Sequence, residues 1–409
     1  MGYTKIIIKG VSWMTGVRAV TRILSLVKTI IIARILSPNQ FGVFGIATLL
    51  LTFIEIITET GINIFLVQKR EDINKYINTA WIVSIIRGFI ISSIIAISAP
   101  FVGAFFNTPD STSILRLMSL VPLVRGFINP SVINFLKELT FYKEFYYRST
   151  IIFVETVLSV LLVYFTHSIS SLVWALIVSA MIEVMLSWTI KPRPVFIFEK
   201  GRFFEIIGYG KWITASGVFN YFYQNGDNIM IGRLLGTSSL GLYDMAYRIS
   251  LAPLTDIADT ITKVTFPVYV KISEDRKRLR TAFFKSLFSV FALIIPISAM
   301  LFIFSEEIIS LLLGNQWVSA APALRVLAIF GLIRALSVFS SSIFLSVKKQ
   351  NVVTLISLVG LFGLAISIVP FIYLWGIVGA AMSALLGTSL TLPIIFYNLY
   401  QLFKQNYEK

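Results

Sequence analysis

The chain has no cysteine and a single histidine, His167, in 409 residues. The first absence excludes a disulfide framework and any thiolate-bound metal. The second leaves no histidine cluster to hold a metal or share acid–base work. Charged residues make up only 13% of the chain, about half of what a soluble domain of ordinary composition carries. Acids are scarcer than bases, 20 against 35. The sequence also has no Gly-rich phosphate loop closed by Lys-Ser/Thr and no nucleophile elbow. The expectation is therefore a protein with no catalytic residues, no metal site and no cofactor: not an enzyme.

What the chain does have is apolar length. Hydrophobic residues reach 56% and mean hydropathy is +0.84. Long apolar runs separated by short basic loops predict an all-α polytopic membrane protein, because only helices satisfy their own backbone in lipid over such lengths. About twelve spans are expected, near 11–34, 41–66, 78–104, 112–136, 146–166, 169–190, 209–234, 239–266, 281–304, 320–346, 351–371 and 375–402. With the N-terminus inside, 23 of the 35 basic residues fall in cytoplasmic segments. That asymmetry predicts cytoplasmic N- and C-termini. It also accounts for most of the net charge of +15, so nucleic acid is not needed as a partner.

The chain states itself twice. Trp13, Arg34, Leu36 and Gly42 match Trp212, Arg233, Leu235 and Gly241, all at an offset of 199 residues. Glu71–Asp72 before Thr79–Ala80 resembles Glu274–Asp275 before Thr281–Ala282. Arg116 and Arg125 match Arg325 and Arg334 at an offset of 209. Six spans per half is an even number, so the repeats are parallel, related by an axis along the membrane normal. The expected lobes are 1–190 and 209–409, joined by a cytoplasmic linker, 191–208. Its prolines in KPRPVFIFEK suit an extended connector.

Charges inside spans must face protein or water. In span 1, Thr15, Arg18, Arg22, Ser25 and Thr29 share one helical face. By the repeat offset, Gly217, Tyr221, Gln224 and Asn228 of span 7 form the corresponding face. Two such stripes would meet at a shared cavity, cationic on one side and hydrogen-bonding on the other. Asp227 occupies the repeat position of Lys28, which makes the two a complementary pair across that cavity and candidates for coupling or gating. Arg87, Arg125 and Arg334 have no obvious local partner in the sequence, and an arginine fork suits phosphate. The competing reading is internal pairing: Glu55 and Glu59, on a span 2 stripe with Thr48, Thr52 and Asn63, would lie level with Arg22 and Arg18. Glu55 and Glu59 are thus the other coupling or gating candidates.

These residues resemble a known group. ARILSPNQFGVFGIA (33–47), DNIMIGRLLGTSSLGLYDMAYR (227–248), VTFP (264–267) and LLGNQWVSAAPALRVLA (312–328), in this order, resemble the Wzx-type polysaccharide transporters of the MOP flippase superfamily. The resemblance covers essentially the whole chain. It implies a flippase carrying polyprenyl-pyrophosphate-linked oligosaccharide across the cytoplasmic membrane for O-antigen, capsule, exopolysaccharide or teichuronic acid synthesis. It further implies alternating access around a cationic cavity, with a polysaccharide polymerase and glycosyltransferases as pathway partners. Arg18, Arg22 and the Asp227–Asn228 stretch lie in its motifs; Arg87, Arg125, Arg334, Tyr221 and Gln224 are added from the polar faces. Longer members carry two further helices beyond the twelve spans expected here. The alternative is a MATE-type drug or metabolite cation antiporter of the same superfamily, for which an acidic cavity would be expected.

Overall fold

A computed structural model describes residues 3–62, 65–66 and 74–404. Asn63, Lys69, Arg70, Glu71, Asp72 and Lys409, used above in the stripe, the repeat and the charge asymmetry, lie outside the described residues. So do the side chains of Lys5, Lys9, Lys211 and Trp212.

Among the described residues every regular element is helical. The elements are α1 (Tyr3–Ile35), α2 (Pro38–Ile57), α3 (Asn74–Phe105), α4 (Ser111–Met118), α5 (Leu120–Arg125) and α6 (Asn134–Lys137). After them come α7 (Phe141–Thr166), α8 (Ser170–Ser187), α9 (Lys200–Lys271), α10 (Arg276–Ile303), α11 (Ser305–Leu312), α12 (Ala321–Ser346), α13 (Gln350–Ser389) and α14 (Leu392–Lys404). Single 3-10 turns, Pro130–Ile133 and Asn315–Ala320, precede α6 and α12. Local chemistry sets several of the boundaries. Ser37 and Gln40 close a reciprocal capping box at the start of α2, with Pro38 at its first position. Asp275 caps α10 by accepting the N–H groups of Lys277 and Arg278. His167 ends α7 in a left-handed conformation, φ 52 and ψ 27, so the lone histidine serves as a helix terminator.

Among the described residues, seven helices are long and apolar enough to cross a membrane, or up to eight if one bent pair counts as a single span. Their outer faces are apolar: Phe101, Phe165, Phe288 and Ile366 are each more than 70% exposed. A helix in water would lose stability by presenting such rows, whereas lipid accepts them. This is a multi-pass membrane protein.

The fourth expected span, 112–136, is not one helix. The stretches Ser111–Arg125 and Pro130–Lys137 are bent by 71°, because Pro130 cannot extend the ladder. Irregular backbone at membrane depth must find partners, and Asn129 supplies them. Fully buried, it shares its amide between the carbonyls of Ile190 at 2.9 Å and Pro192 at 3.2 Å. Its own N–H donates to Ser187 Oγ at 2.9 Å. The counterpart in the second half, α12, is a continuous helix of 26 residues. The linker is likewise shorter than expected: extended backbone gives way to α9 at Lys200.

The chain divides into two compact units, Met1–Asn225 and Gly226–Lys409. In the first, α1 packs along α7, α7 along α8, and α3 against α4 and α5. The opening third of α9 belongs to this unit: Tyr221 donates to the Leu49 carbonyl of α2 at 2.8 Å. In the second, α12 is the centre, packed by α10, α11 and α13. Its core holds Tyr269, Leu279, Phe283, Val290, Phe339, Ile343 and Phe344, with Phe283 and Phe339 stacked at 5.6 Å.

Expected spans 7 and 8 form one run, α9, that kinks at Gly236 with φ 82 and ψ −179. That backbone region is essentially restricted to glycine, and forcing another residue into it costs about 1–3 kcal/mol. Gly236→Ala should therefore lower the thermal unfolding midpoint of the solubilised protein, while Gly201→Ala, where a Cβ meets nothing within 4 Å, should not. Equal midpoints for the two variants would show that the kink carries no strain.

Candidate functional site

The first unit encloses a polar cavity of about 400 Å³. Helix α2 brings Glu55 to it, the segment just after its C-cap brings Glu59, and α3 brings Arg87. Arg125 at the end of α5 and Asn129 and Pro130 in the break form another wall. Glu144, Tyr147 and Arg148, one face of α7, and Glu183 of α8 complete it. The walls come close because glycines face each other. A Cβ on Gly88 would lie 2.7 Å from the Pro122 carbonyl oxygen, and one on Gly126 would lie 3.0 Å from that of Ser84.

Three of the four cavity carboxylates, Glu59, Glu144 and Glu183, are paired with a guanidinium. Arg87 Nη2 donates to Glu59 at 3.2 Å and to the Glu55 carbonyl at 2.7 Å. Arg125 Nε lies 3.8 Å from Glu183, and Arg148 donates to Glu144 at 2.5 Å. Three guanidiniums thus face four carboxylates. Glu144 Oε2 is buried with no hydrogen-bond partner. A lone ion at mid-membrane costs at least about 2.5–3.5 kcal/mol, which explains why the pairs are close.

Of the candidates named from sequence, this cavity gathers Arg87, Arg125, Glu55 and Glu59. One expectation is corrected. Glu59 is held by Arg87, not by Arg18, because α3 crosses α2 at that level. Arg87, Arg125 and Arg334 have polar partners after all, distant in sequence, Arg334 donating to the Tyr247 hydroxyl at 3.1 Å and also lying over the Phe330 ring. Lys28 and Asp227 each have a partner within their own unit. Lys28 donates to Glu155 of α7 at 2.6 Å, and Asp227, buried in the second unit, accepts from the Tyr243 hydroxyl at 2.7 Å. Asn228 is buried beside it, and its side-chain oxygen has no partner. Gln224 donates to Asn220 at 3.0 Å. Arg18 and Arg22 stand exposed on α1 in the stripe with Thr15, apart from the lining of the cavity.

Sequence reasoning missed Glu155, Glu183, Glu144, Arg148 and Tyr243. Glu155 and Glu183 had a signal: each is the only carboxylate in its apolar run, and an ionisable residue within a span is functional or paired by default. Glu144 and Arg148 are spaced four apart on a helix, but they sit among the aromatic residues of a membrane boundary. Among the described residues no three His, Cys, Asp or Glu side chains gather in a way that could hold a metal ion.

Among the described residues this is an all-helical, multi-pass membrane protein that pairs charged side chains in the interior of its first unit. The sequence profile of the polysaccharide biosynthesis protein family matches residues 31–322, and the chain belongs to that family. A second profile, MatE, matches residues 273–374. The lipopolysaccharide biosynthesis protein WzxC of Escherichia coli K12 is 25% identical over 340 residues, covering 80% of this chain and 67% of that protein. The teichuronic acid biosynthesis protein TuaB of Bacillus subtilis 168 is 23% identical, covering 85% of this chain and 73% of that one. The fold is that of the lipid II flippase MurJ in an inward closed conformation: TM-score 0.77 at 13% identity, over 96% of this chain and 89% of that one.

The Arg87–Glu59 contact can be isolated by a double-mutant cycle. Arg87→Ala removes the donor of a half-exposed carboxylate, Glu59, and of the Glu55 carbonyl, and should destabilise the solubilised protein by about 0.5–1.5 kcal/mol. Glu59→Gln in the same chain should recover part of that loss. Strictly additive effects would show that the two groups are not coupled.

Proposed function

We propose that this protein is a flippase for polyprenyl-pyrophosphate-linked oligosaccharide, serving surface polysaccharide synthesis in the cytoplasmic membrane. The observation that carries the reading is membership of the polysaccharide biosynthesis family by a chain whose polar groups lie inside an apolar helical shell. A pyrophosphate and its sugars cannot enter hydrocarbon without partners for their charges and hydroxyls. The protein would supply those partners while the polyprenyl tail stays in lipid. Arg18 and Arg22, exposed on one face of α1, suit the pyrophosphate because guanidinium groups stay ionised when desolvated. Tyr221, Gln224 and Asn228 suit sugar hydroxyls. Arg87, Arg125 and Arg334 already have partners in the protein, so they would meet substrate by exchanging them.

In this reading twelve spans form two parallel six-helix lobes that rock about a central site, with both termini in the cytoplasm. The pairs Lys28–Glu155 and Asp227–Tyr243, and the carboxylates Glu55 and Glu59, would bias the two states. Only differential binding can make the cycle directional. Glycosyltransferases supply the substrate and a polymerase consumes it. Catalysis by the chain itself is not part of the reading.

One observation favours a second reading. The cavity of the first unit holds more carboxylates than guanidiniums, and the MatE profile matches part of the second half. Both suit a cation antiporter. Deletion of the gene separates the two. Full-length lipid-linked repeat accumulating on the cytoplasmic side, with surface glycan lost, is the flippase result. Normal surface glycan with raised sensitivity to cationic dyes is the antiporter result. Within the flippase reading, Arg22→Ala should abolish glycan export at unchanged protein level, as scored by surface glycan and membrane immunoblot. Disappearance of the protein from the membrane would instead make Arg22 a structural residue.

A further inference from the structure

The start of α10 carries a charge cluster that the transport cycle does not use. Arg276, Lys277, Arg278 and Arg280 lie within five residues, and Lys271 and Lys285 flank them. The repeat does not require them. In the first copy, the interval between Asp72 and Thr79 holds one basic residue, Lys75; in the second, the interval between Asp275 and Thr281 holds four. The first copy's helix start is also covered. Val195 donates its N–H to Asn78 at 2.9 Å, Phe196 packs on Trp81 at 4.6 Å, and Arg202 lies over Tyr76 at 5.3 Å. The second copy's start is exposed at Lys271, Lys277, Arg278, Arg280 and Lys285.

The distribution of side chains along this helix suits a cluster placed at a headgroup layer. Leu279, Phe283, Val290 and Ile294 are buried in the core of the second unit, which turns the opposite face outward. On that face Arg280, Phe284 and Phe288 follow at intervals of four residues, Phe284 being 48% and Phe288 76% exposed. At 1.5 Å per residue, Phe284 lies about 6 Å and Phe288 about 12 Å along the axis from Arg280. A cation is thus followed by aromatic rings at the separation of a phosphate layer from acyl chains. Lys285, deeper along the helix, can extend its stem back to the same level. Asp275 is occupied, capping the helix and pairing with Arg278 at 3.2 Å. Among the described residues, Lys277, Arg280 and Lys285 have no acidic partner. Arg276 Nη1 is buried with no hydrogen-bond partner, a donor left for an incoming oxygen.

We infer that the first turns of α10 are a docking platform for anionic glycerophospholipid headgroups, whose phosphates the cluster binds and whose acyl chains lie along Phe284 and Phe288. Clusters of four to eight basic residues at the end of a membrane span bind anionic lipid through charges that salt screens. The inference rests on the membrane reading but not on the identity of the transported substrate.

The test uses full-length protein in nanodiscs of phosphatidylglycerol and phosphatidylethanolamine, both faces being accessible, with co-purified lipid quantified by mass spectrometry. Wild type should enrich phosphatidylglycerol over its bulk ratio, and 0.5 M NaCl should weaken the enrichment. Lys277→Gln/Arg278→Gln/Arg280→Gln should reduce it at least about tenfold, each charge near the surface contributing roughly fivefold at most. The charge-conserving Lys277→Arg/Arg278→Lys/Arg280→Lys should retain it, which separates charge loss from misfolding. Removing linker charges by Arg193→Gln/Lys200→Gln should also leave it intact. No enrichment by wild type, or equal loss in the linker variant, would overturn the inference. So would displacement of the lipid by millimolar inorganic pyrophosphate, which would make the cluster a phosphate-group receptor for soluble or lipid-linked pyrophosphate.

Discussion

The structure depends on one constraint: a charge in hydrocarbon must have a partner. The first unit is built around it. Glu55 on α2 and Glu59 just beyond its end would be intolerable facing lipid, and α3, α5, α7 and α8 approach to bring Arg87, the Arg148–Glu144 pair and the Arg125–Glu183 pair. Close approach needs Gly88 and Gly126, where any side chain would meet backbone. The break after Arg125 is tolerable because Asn129 binds the carbonyls it faces. Charge pairing, glycine contact and a broken helix are therefore one arrangement. A cavity lined by paired ions is also a place where partners can be exchanged.

The two halves keep a common frame and differ in chemistry. The repeat-related Arg125 and Arg334 answer to different groups, a carboxylate in one half and a tyrosine hydroxyl in the other. The repeat-related Lys28 and Asp227 are each satisfied within their own unit. Duplication preserved where polar groups enter the helices and left their identity free to change. That asymmetry suits a substrate with unlike ends, an anionic pyrophosphate and neutral sugars.

Helix class, the apolar runs and the helical stretches 281–303 and 321–346 were legible in the sequence because lipid imposes a simple rule on length and composition. The landmark at 33–47 was legible as well, down to the Ser37–Gln40 turn, since its capping chemistry is local. Partner choice was not. Arg18 and Glu59 could be placed level on neighbouring helices, but which of α1 and α3 lies nearer to Glu59 is a matter of packing that no wheel contains. Gly236 and Gly376 hide helix breaks inside continuous helical runs, where composition alone predicts loops. Glu155 and Glu183 were visible as solitary acids, but their roles depended on helices far away in sequence.

The central claim is movement of a lipid-linked headgroup between leaflets. Its most direct measurement uses proteoliposomes of purified protein loaded with polyprenyl-pyrophosphate oligosaccharide, with the glycan probed from outside by a membrane-impermeant enzyme or lectin. Protein-containing vesicles should expose the fraction initially on the inner leaflet, and Arg22→Ala vesicles should not. If the inner pool stays protected in wild-type vesicles under every ion gradient imposed, the chain does not flip this substrate.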